Sequence, residues 1–272
     1  MRLRTVLRAD GRGCAQVGVD GVWHSTASAD VAELLASPRW RESWRPAPES
    51  TQLRSAPLVR TAAKVICCGH NYRAHISEMG HPEPRHPTLF AKFTDTLTAW
   101  DADIVLREPA EVWQLDWEAE LAVVVGSHLR HAEPRSARAA IAGYAVANDF
   151  SVRSRQRRTS QWLQGKAFEA TTPLGPDLVT ADEIDPADGL RISCRVNGVQ
   201  VQDGCTGDLV FSPAELLSYI SDFTPLRPGD VVLTGTPGGV GAARIPARYL
   251  EVGDVVETEI EGIGLLRNRI VA

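Results

Sequence analysis

The sequence predicts a mainly β fold with a few peripheral helices, in the α+β class. Short apolar runs with the length and composition of strands outnumber the stretches with helical periodicity. Two-residue turns of the kind that joins antiparallel strands separate several of these runs, at Asp10-Gly11, Asp20-Gly21 and Asn197-Gly198. The turns exclude a purely parallel sheet. With 43% hydrophobic residues in a chain of 272, the composition supports one large core.

Charge and cysteine content narrow the classes of function. The net charge of −5 includes no block of like charge, so nothing favours nucleic acid or an anionic membrane surface as a partner. We interpret the densest cationic patch as a solvent-exposed helix turn; it comprises Arg153, Arg155, Arg157 and Arg158. No stretch approaches the ~20 apolar residues of a membrane span, and the start of the chain lacks a signal-peptide pattern. Five cysteines without metal-binding spacing predict reduced thiols, and we expect a cytoplasmic protein.

Residues 1–60 are predicted to form a small N-terminal β-meander domain that ends in a linker. Apolar runs at 3–7, 15–19 and 22–24 supply three strands, and Asp30 can cap a short helix at 31–36. Three prolines among polar residues in 45–61 are typical of a linker. We therefore place a boundary near residue 60 and assign residues 61–272 to a second, larger domain.

The larger domain is predicted to begin with a buried strand at 64–68 and a helix at 73–79. An exposed loop at 80–87 separates this helix from a strand at 89–93. We also expect helices at 133–142 and from Ser212 to about residue 220, and a sharp turn at 172–176. The remaining expected strands lie at 122–126, 144–147, 190–196, 199–202, 231–234, 255–260 and 262–270.

An acidic pair precedes the strand at 122–126. Side chains two apart on a strand share a face, so Glu118 and Glu120 would lie about 6 to 7 Å apart along it. Such a pair is either a solvated edge or half of a cation site, and the pair alone leaves both interpretations open. A third carboxylate, Asp149, follows the strand at 144–147. Together the three acids would offer the hard oxygen ligands that suit Mg²⁺ or Mn²⁺.

Three further residues could carry proton transfer and charge stabilisation. His75 and Glu78 lie three apart on a predicted helix, where the carboxylate could orient the imidazole as a general base; a helix-surface pair is the alternative. Lys166 has small and apolar neighbours and could stabilise a developing oxyanion, although an ordinary snorkelling lysine explains it equally well.

A glycine-rich run at 234–241 lacks the Gly-Lys-Ser/Thr ending of a phosphate loop and contains a proline, so nucleotide binding is a poor interpretation. Its backbone amides and the Thr236 hydroxyl could still hold a substrate carboxylate.

Taken in order, seven motifs resemble those of the fumarylacetoacetate hydrolase family, over about residues 64–268. They are 69–72 with His75 and Glu78, 89–92, 116–121, 148–153, 165–168, 228–230 with 234–237, and 261–264. The N-terminal region resembles the appendage of the longer branch of the family, which is hydroxyheptadienedioate isomerase-like.

The resemblance implies a mixed β-sandwich roll, a homodimer, and Mg²⁺ or Mn²⁺ held at Glu118, Glu120 and Asp149. It further implies that His75 with Glu78 activates water and that Lys166 stabilises the oxyanion. We expect substrate contacts from Tyr72, Lys92, Arg153, Gln156, Gly235 and Thr236.

The function expected from this resemblance is hydrolysis of a carbon–carbon bond in a 2,4-dioxo, acylpyruvate-like acid through an enolate. Isomerisation or decarboxylation of a related 2-oxo or 2-hydroxydienoate acid at the same site is the alternative. A non-catalytic dimer that binds such a metabolite is a further alternative from another class of protein.

Overall fold

The computed structural model describes residues 1–46, 53–78, 80 and 82–272. The middle of the predicted linker, the last residue of the helix predicted at 73–79 and one residue of the loop predicted at 80–87 lie outside this range.

The described residues form strands and short helices in alternation. The strands are Arg2–Leu7 (β1), Gly13–Val19 (β2), Val22–Ser25 (β3), Arg45–Pro46 (β4), Arg54–Ser55 (β5), Val65–Gly69 (β6), Thr88–Lys92 (β7), Leu97–Thr98 (β8), Ile104–Val105 (β9), Leu115–Asp116 (β10), Ala119–Val125 (β11), Ile141–Asn148 (β12), Ser151–Val152 (β13), Thr172–Thr180 (β14), Arg191–Val196 (β15), Val199–Cys205 (β16), Val231–Leu233 (β17), Val255–Ile260 (β18) and Gly264–Val271 (β19). The α-helices are Val31–Leu35 (α1), Arg73–Glu78 (α2), Ala110–Trp113 (α3), Pro134–Ala139 (α4), Arg153–Gln156 (α5), Leu163–Lys166 (α6) and Pro213–Phe223 (α7).

Two mixed sheets build the main body. In the described part of the chain, the larger sheet has 12 strands and the path β4-β3-β2-β1-β14-β12-β11-β17-β6-β7, with β5 beside β1 and β8 beside β14. The smaller sheet has the order β16-β15-β18-β19-β9 and shares a buried apolar cluster with the larger one. Parallel pairs such as β6 with β17 occur beside antiparallel hairpins. The predicted class, mainly β with peripheral helices, is confirmed.

The N-terminal strands extend the large sheet. β1, β2 and β3 form the expected antiparallel meander, and β1 also pairs with β14, where Leu3 faces Leu178 across the ladder. Leu3 and Val17 belong to one buried cluster with Val65 and Ala122. The division of the chain into two domains near residue 60 stays a prediction.

Both faces of β11 are covered, and all seven of its residues are buried. Leu121 and Val123 pack into one apolar cluster, whereas Ala122 and Val124 pack into the other. A slip of one residue would exchange the two faces, so burial on both sides fixes the register of this strand. The acidic pair at its start is thereby held in place.

Tertiary pairing overrides two local predictions. The sharp turn predicted at 172–176 is wrong, because the chain continues there as β14. The pairing of β12 with β14 shifts register between Tyr144 and Val146, and Gly175 has a positive φ of 141°, so the strand bulges instead of turning back. The helix predicted at 133–142 ends at Ala139, because Ile141 already pairs with Val125 in the sheet.

Two predictions that depend on local sequence signals are confirmed. Asn197 and Gly198 both have positive φ, 52° and 77°, as the tight turn between β15 and β16 requires. Ser212 and Glu215 form a reciprocal capping box at the start of α7. That helix runs to Phe223, three residues beyond its predicted end.

Substitution of Gly143 tests how tightly β12 packs on β14. A Cβ at this position would lie 2.2 Å from the carbonyl oxygen of Val179 and 2.5 Å from a methyl carbon of Leu178. We expect Gly143→Ala to lower the free energy of unfolding by about 1 to 3 kcal/mol, because backbone must move to admit the methyl group.

Gly207→Ala is the matched control, since a Cβ there would meet its nearest atom, Cys205 Sγ, at 3.5 Å. It should cost less than about 0.5 kcal/mol in the same denaturant titration. Equal stability of the two variants would contradict the packing described for β12 and β14.

Candidate active site

The register between β11 and β12 brings three carboxylates together. Ala119 pairs with Asn148, so Glu118 stands opposite Asp149, whose amide donates a hydrogen bond of 2.8 Å to the Glu118 carbonyl oxygen. The Asn148 side-chain oxygen accepts from the Glu118 amide at 3.0 Å. Carboxylate oxygens of Glu118, Glu120 and Asp149 lie within 4.8 Å of one another, and all three residues are buried. The solvated-edge interpretation of the acidic pair is therefore wrong.

Two buried cations compensate Glu118. Lys166 Nζ lies 2.6 Å from Glu118 Oε2 and 2.9 Å from Asp149 Oδ2, and Arg153 Nη1 lies 2.6 Å from Glu118 Oε1. Burial alone would raise the pKa of Glu118, but the two cations outweigh it and bring the pKa to about 2. Burial alone would lower the pKa of Lys166, yet Asp149 and Glu118 raise it above the usual value. Lys166 is therefore protonated at neutral pH. Because its ammonium is buried against two carboxylates, the snorkelling alternative is wrong.

Glu120 contacts no cationic side chain among the described residues. Its Oε2 accepts a hydrogen bond of 2.7 Å from the Gly235 amide. Burial, followed by the charges of Asp149 and Glu118, raises the pKa of Glu120 well above its usual value. Within the described part of the chain, one carboxylate of the cluster thus has no cation in direct contact with it.

The cluster fits a divalent cation. It offers three carboxylates, which are the ligand type that Mg²⁺ and Mn²⁺ prefer. A divalent ion would supply the positive charge that the ionised form of Glu120 does not receive by direct contact from any described side chain. Glu118, Glu120 and Asp149 would hold it.

Close backbone contact positions Lys166 and Arg153. A Cβ at Gly165 would lie 2.5 Å from the Gln156 amide nitrogen and 2.6 Å from the Val152 carbonyl oxygen, so α6 rests directly on α5. The residue before Lys166 must therefore be glycine for the lysine to reach the carboxylates. This contact explains the Gly-Lys order at 165–166.

Asp116 is a fourth buried carboxylate, and it ties a loop to the site. Its two oxygens accept hydrogen bonds from the amides of Gly241 and Ala242 at 2.7 and 2.9 Å, and from Arg153 Nε at 2.9 Å. Arg153 consequently joins Asp116 to Glu118. Sequence reasoning did not single out Asp116 for any role, although it stands two residues before Glu118.

An open cavity of about 590 Å³ gives solvent access to Glu118, Glu120 and Lys166. Of the residues predicted to bind substrate, Arg153, Gln156 and Thr236 line it. The Arg153 guanidinium also donates to Gln156 Oε1 at 2.8 Å, and the Thr236 hydroxyl accepts from Gln202 Nε2 at 2.8 Å.

The other three predicted substrate-binding residues are not part of the described lining of this cavity. Lys92 is buried and its ammonium donates to Asp149 Oδ1. The Gly235 amide is occupied by Glu120. Tyr72 is fully buried, and its hydroxyl has no hydrogen-bond partner among the described residues. Their direct contact with substrate stays a prediction.

The backbones of His75 and Glu78 lie in α2, as expected. Their side chains are outside the described part of the structure, so the general-base pair also stays a prediction.

Sequence reasoning assigned no substrate contact to three side chains that line the cavity, His70, Arg157 and Trp162. The Trp162 ring lies edge-on to the ring of His70 at 5.3 Å and to that of Phe90 at 5.5 Å. A Cβ at Gly69 would meet Trp162 at 2.3 Å, so glycine before His70 makes room for the indole. The signal in the sequence that could have indicated Trp162 was an aromatic residue four positions before Lys166.

A mixed β fold that gathers carboxylates, a lysine and an arginine in one open cavity defines an enzyme for a small acidic substrate. The sequence model described as Fumarylacetoacetate (FAA) hydrolase C-terminal matches residues 64–271. The chain therefore belongs to the fumarylacetoacetate hydrolase family, as its motifs indicated.

Named relatives differ in their reactions. The chain is 43% identical over 226 residues to the human protein "Oxaloacetate tautomerase FAHD2A, mitochondrial", a match that covers 82% of this chain and 71% of that protein. It is 39% identical over 214 residues to "2,4-didehydro-3-deoxy-L-rhamnonate hydrolase" of Sphingomonas sp. (strain SKA58), covering 78% and 74%.

The solved structure of "2-hydroxyhepta-2,4-diene-1,7-dioate isomerase from Mycobacterium marinum" superimposes with a TM-score of 0.79 at 30% identity, covering 100% of this chain and 98% of that one. The predicted likeness to hydroxyheptadienedioate isomerases is confirmed. No helix within the described residues has the length and apolar character of a membrane span.

Two cations contact Glu118, and none of the described cations contacts Glu120. We therefore expect replacement of each by glutamine to have a different effect on stability. Without added metal, Glu118→Gln should lower the free energy of unfolding by about 3 kcal/mol, because Lys166 and Arg153 lose a buried partner. Glu120→Gln should leave stability equal or higher, because it removes a carboxyl group whose ionisation is disfavoured by burial and by Asp149 and Glu118.

Denaturant titration in the presence of a chelator measures both effects, and calorimetry with Mn²⁺ should show that both variants bind the ion more weakly. A larger loss of stability in Glu120→Gln than in Glu118→Gln would contradict this distribution of charge.

Proposed function

We propose that this chain is a divalent-metal-dependent enzyme that interconverts the keto and enol forms of a small 2-oxo acid of the oxaloacetate type. The observation that carries the proposal is the Lys166 ammonium in contact with two of three clustered carboxylates, inside an open cavity. These groups serve one chemical purpose, the stabilisation of negative charge on an enolate oxygen. The 43% identity to a protein named oxaloacetate tautomerase supports the same choice.

The ion is Mg²⁺ or Mn²⁺ in this proposal, held by Glu118, Glu120 and Asp149. When bound, it would place positive charge beside the 2-oxo group and favour its enolate form.

Lys166 has the protonation state that the reaction needs. The carboxylates of Asp149 and Glu118 keep its pKa raised, so a charged donor faces the cavity at neutral pH. A hydrogen bond from this ammonium to the substrate oxygen at C2 would strengthen as negative charge develops there, which lowers the barrier. Arg153 cannot replace it without breaking its contacts to Asp116 and Glu118.

Tautomerisation moves two protons and breaks no carbon–carbon bond. In the direction of the keto form, the proton on the C2 oxygen leaves and another proton is added at C3. We assign the exchange of a proton with the substrate to His75, oriented by Glu78, because both residues lie on α2 three positions apart.

Hydrolysis of a carbon–carbon bond in a 2,4-dioxo acid is the second candidate. It uses the same enolate as leaving group, with His75 and Glu78 activating water to attack the distal carbonyl. The 39% identity to a protein named as a hydrolase favours it. Isomerisation or decarboxylation would also pass through the enolate, and the products distinguish all four reactions.

We also propose a homodimer in a reducing compartment, with the cytoplasm as first choice. All five cysteines are free thiols. Light scattering and cell fractionation test these two assignments; a monomeric mass or a secreted protein would contradict them.

The central test follows the ultraviolet absorbance of the enol form of oxaloacetate. Wild-type protein with Mg²⁺ or Mn²⁺ should accelerate its loss, a chelator should abolish the acceleration, and added ion should restore it. Glu118→Ala should be inactive and should not bind the ion, because it removes a ligand and the partner of Lys166. Full activity with chelator present would refute the metal requirement. If the protein binds oxaloacetate but does not accelerate the loss of its enol form, a non-catalytic binding protein is favoured.

His75→Ala separates ion binding from proton transfer. It should keep Mn²⁺ binding and lose about 10² to 10⁴ in rate, since the positioned base is gone. Ser77→Ala, an exposed substitution on the same helix, is the matched control. Unchanged turnover of oxaloacetate and of an acylpyruvate by His75→Ala would remove the base assignment. Release of pyruvate from the acylpyruvate by wild type would establish the second candidate.

A further inference from the structure

The four arginines of the cationic patch have different surroundings, so the interpretation of the patch as one solvent-exposed turn is wrong. Arg153 is 6% exposed and bound to Asp116 and Glu118. Arg155 forms an ion pair of 3.2 Å with Glu108. Arg157 is exposed and lines the active-site cavity, whereas Arg158 is exposed and lies outside the described lining.

Arg157 is a cation with no carboxylate partner among the described residues. Its backbone amide donates to the Arg153 carbonyl oxygen at 3.1 Å, which fixes it at the end of α5. Its guanidinium makes no hydrogen bond or ion pair with any described residue. Because the side chain lines the same cavity as Glu118, Glu120 and Lys166, a bound ligand can supply the missing partner.

The cations in the cavity therefore differ in how far described carboxylates neutralise them. Glu118 and Asp149 satisfy Lys166 and Arg153, so these cations have little charge left for a second anionic group. Arg157 keeps its full charge. A guanidinium binds a carboxylate through two parallel hydrogen bonds, which makes it a selective group for a carboxylate end.

We propose that Arg157 determines specificity by binding the distal carboxylate of a dicarboxylic 2-oxo acid, whose other end lies at the carboxylate cluster. The proposal rests on the proposed function for the reacting end and adds the residue that selects a diacid over a monoacid. Arg157 acts here in substrate recognition and takes no part in the proton transfers.

Calorimetry with stable ligands tests the role of Arg157 without turnover. Malate keeps a carboxylate and an oxygen at the reacting end, and the methyl ester of its distal carboxylate removes the second charge and adds one methyl group. With Mg²⁺ present, wild type should bind malate about tenfold or more tightly than the ester, because a charge-assisted hydrogen bond contributes that much. Arg157→Gln should lose this preference, and binding of the ester should be unchanged.

Arg158→Gln is the matched control, because it removes the same charge one residue away and outside the described lining of the cavity. It should keep the preference for malate. A preference that survives in Arg157→Gln, or disappears equally in Arg158→Gln, would overturn the proposal. Equal binding of malate and the ester by wild type would also overturn it, and this is the result expected if the substrate has an apolar tail against Trp162 and Phe90. Binding of neither ligand would overturn it as well.

Turnover of oxaloacetate by wild type is scored separately. If it fails while the calorimetric preference depends on Arg157, the tautomerase assignment is wrong and the diacid site stands. If turnover succeeds and the preference for malate is absent, the tautomerase assignment stands and the diacid site is wrong.

Discussion

Repulsion among carboxylates buried at the start of β11 is the constraint on which the rest of this structure depends. Burying an ionised carboxylate costs several kcal/mol unless a partner compensates it. The chain provides partners from elements far apart in sequence: Lys166 from α6, Arg153 from α5 and Lys92 from β7. These three elements bring cations to one end of one strand.

The compensation is incomplete, and we interpret the deficit as functional. Glu118 is held ionised by two cations, while burial and the charges of Asp149 and Glu118 raise the pKa of Glu120, which no cation contacts among the described residues. A protein optimised for stability alone would pair or remove such a group. Retaining it makes the folded protein a better ligand for a divalent ion than a fully paired cluster would be.

Much of the fold could be predicted because its signals are local. The Asn197-Gly198 turn and the capping box at Ser212 depend on a few adjacent residues, and both formed as expected. The side-by-side placement of Glu118 and Glu120 follows from strand periodicity alone. Asp149 could be named as the third carboxylate from its place after a strand, but only the register of β11 with β12 places it opposite Glu118.

What could not be predicted depends on tertiary contacts. Nothing in the local sequence distinguishes Arg153, which is buried between two carboxylates, from Arg157, which lines the cavity without an ion pair to the part of the chain that the structure describes. The inward direction of Lys92 follows from the pairing of β7 with β6. The continuation of β14 through the turn predicted at 172–176 depends on a register shift with β12.

A crystal of the protein loaded with Mn²⁺ would test the central claim most directly, because anomalous scattering locates the ion independently of activity. We predict one strong peak with oxygens of Glu118, Glu120 and Asp149 about 2.2 Å away. A peak elsewhere in the protein, or an ion ligated without Glu120, would contradict the account.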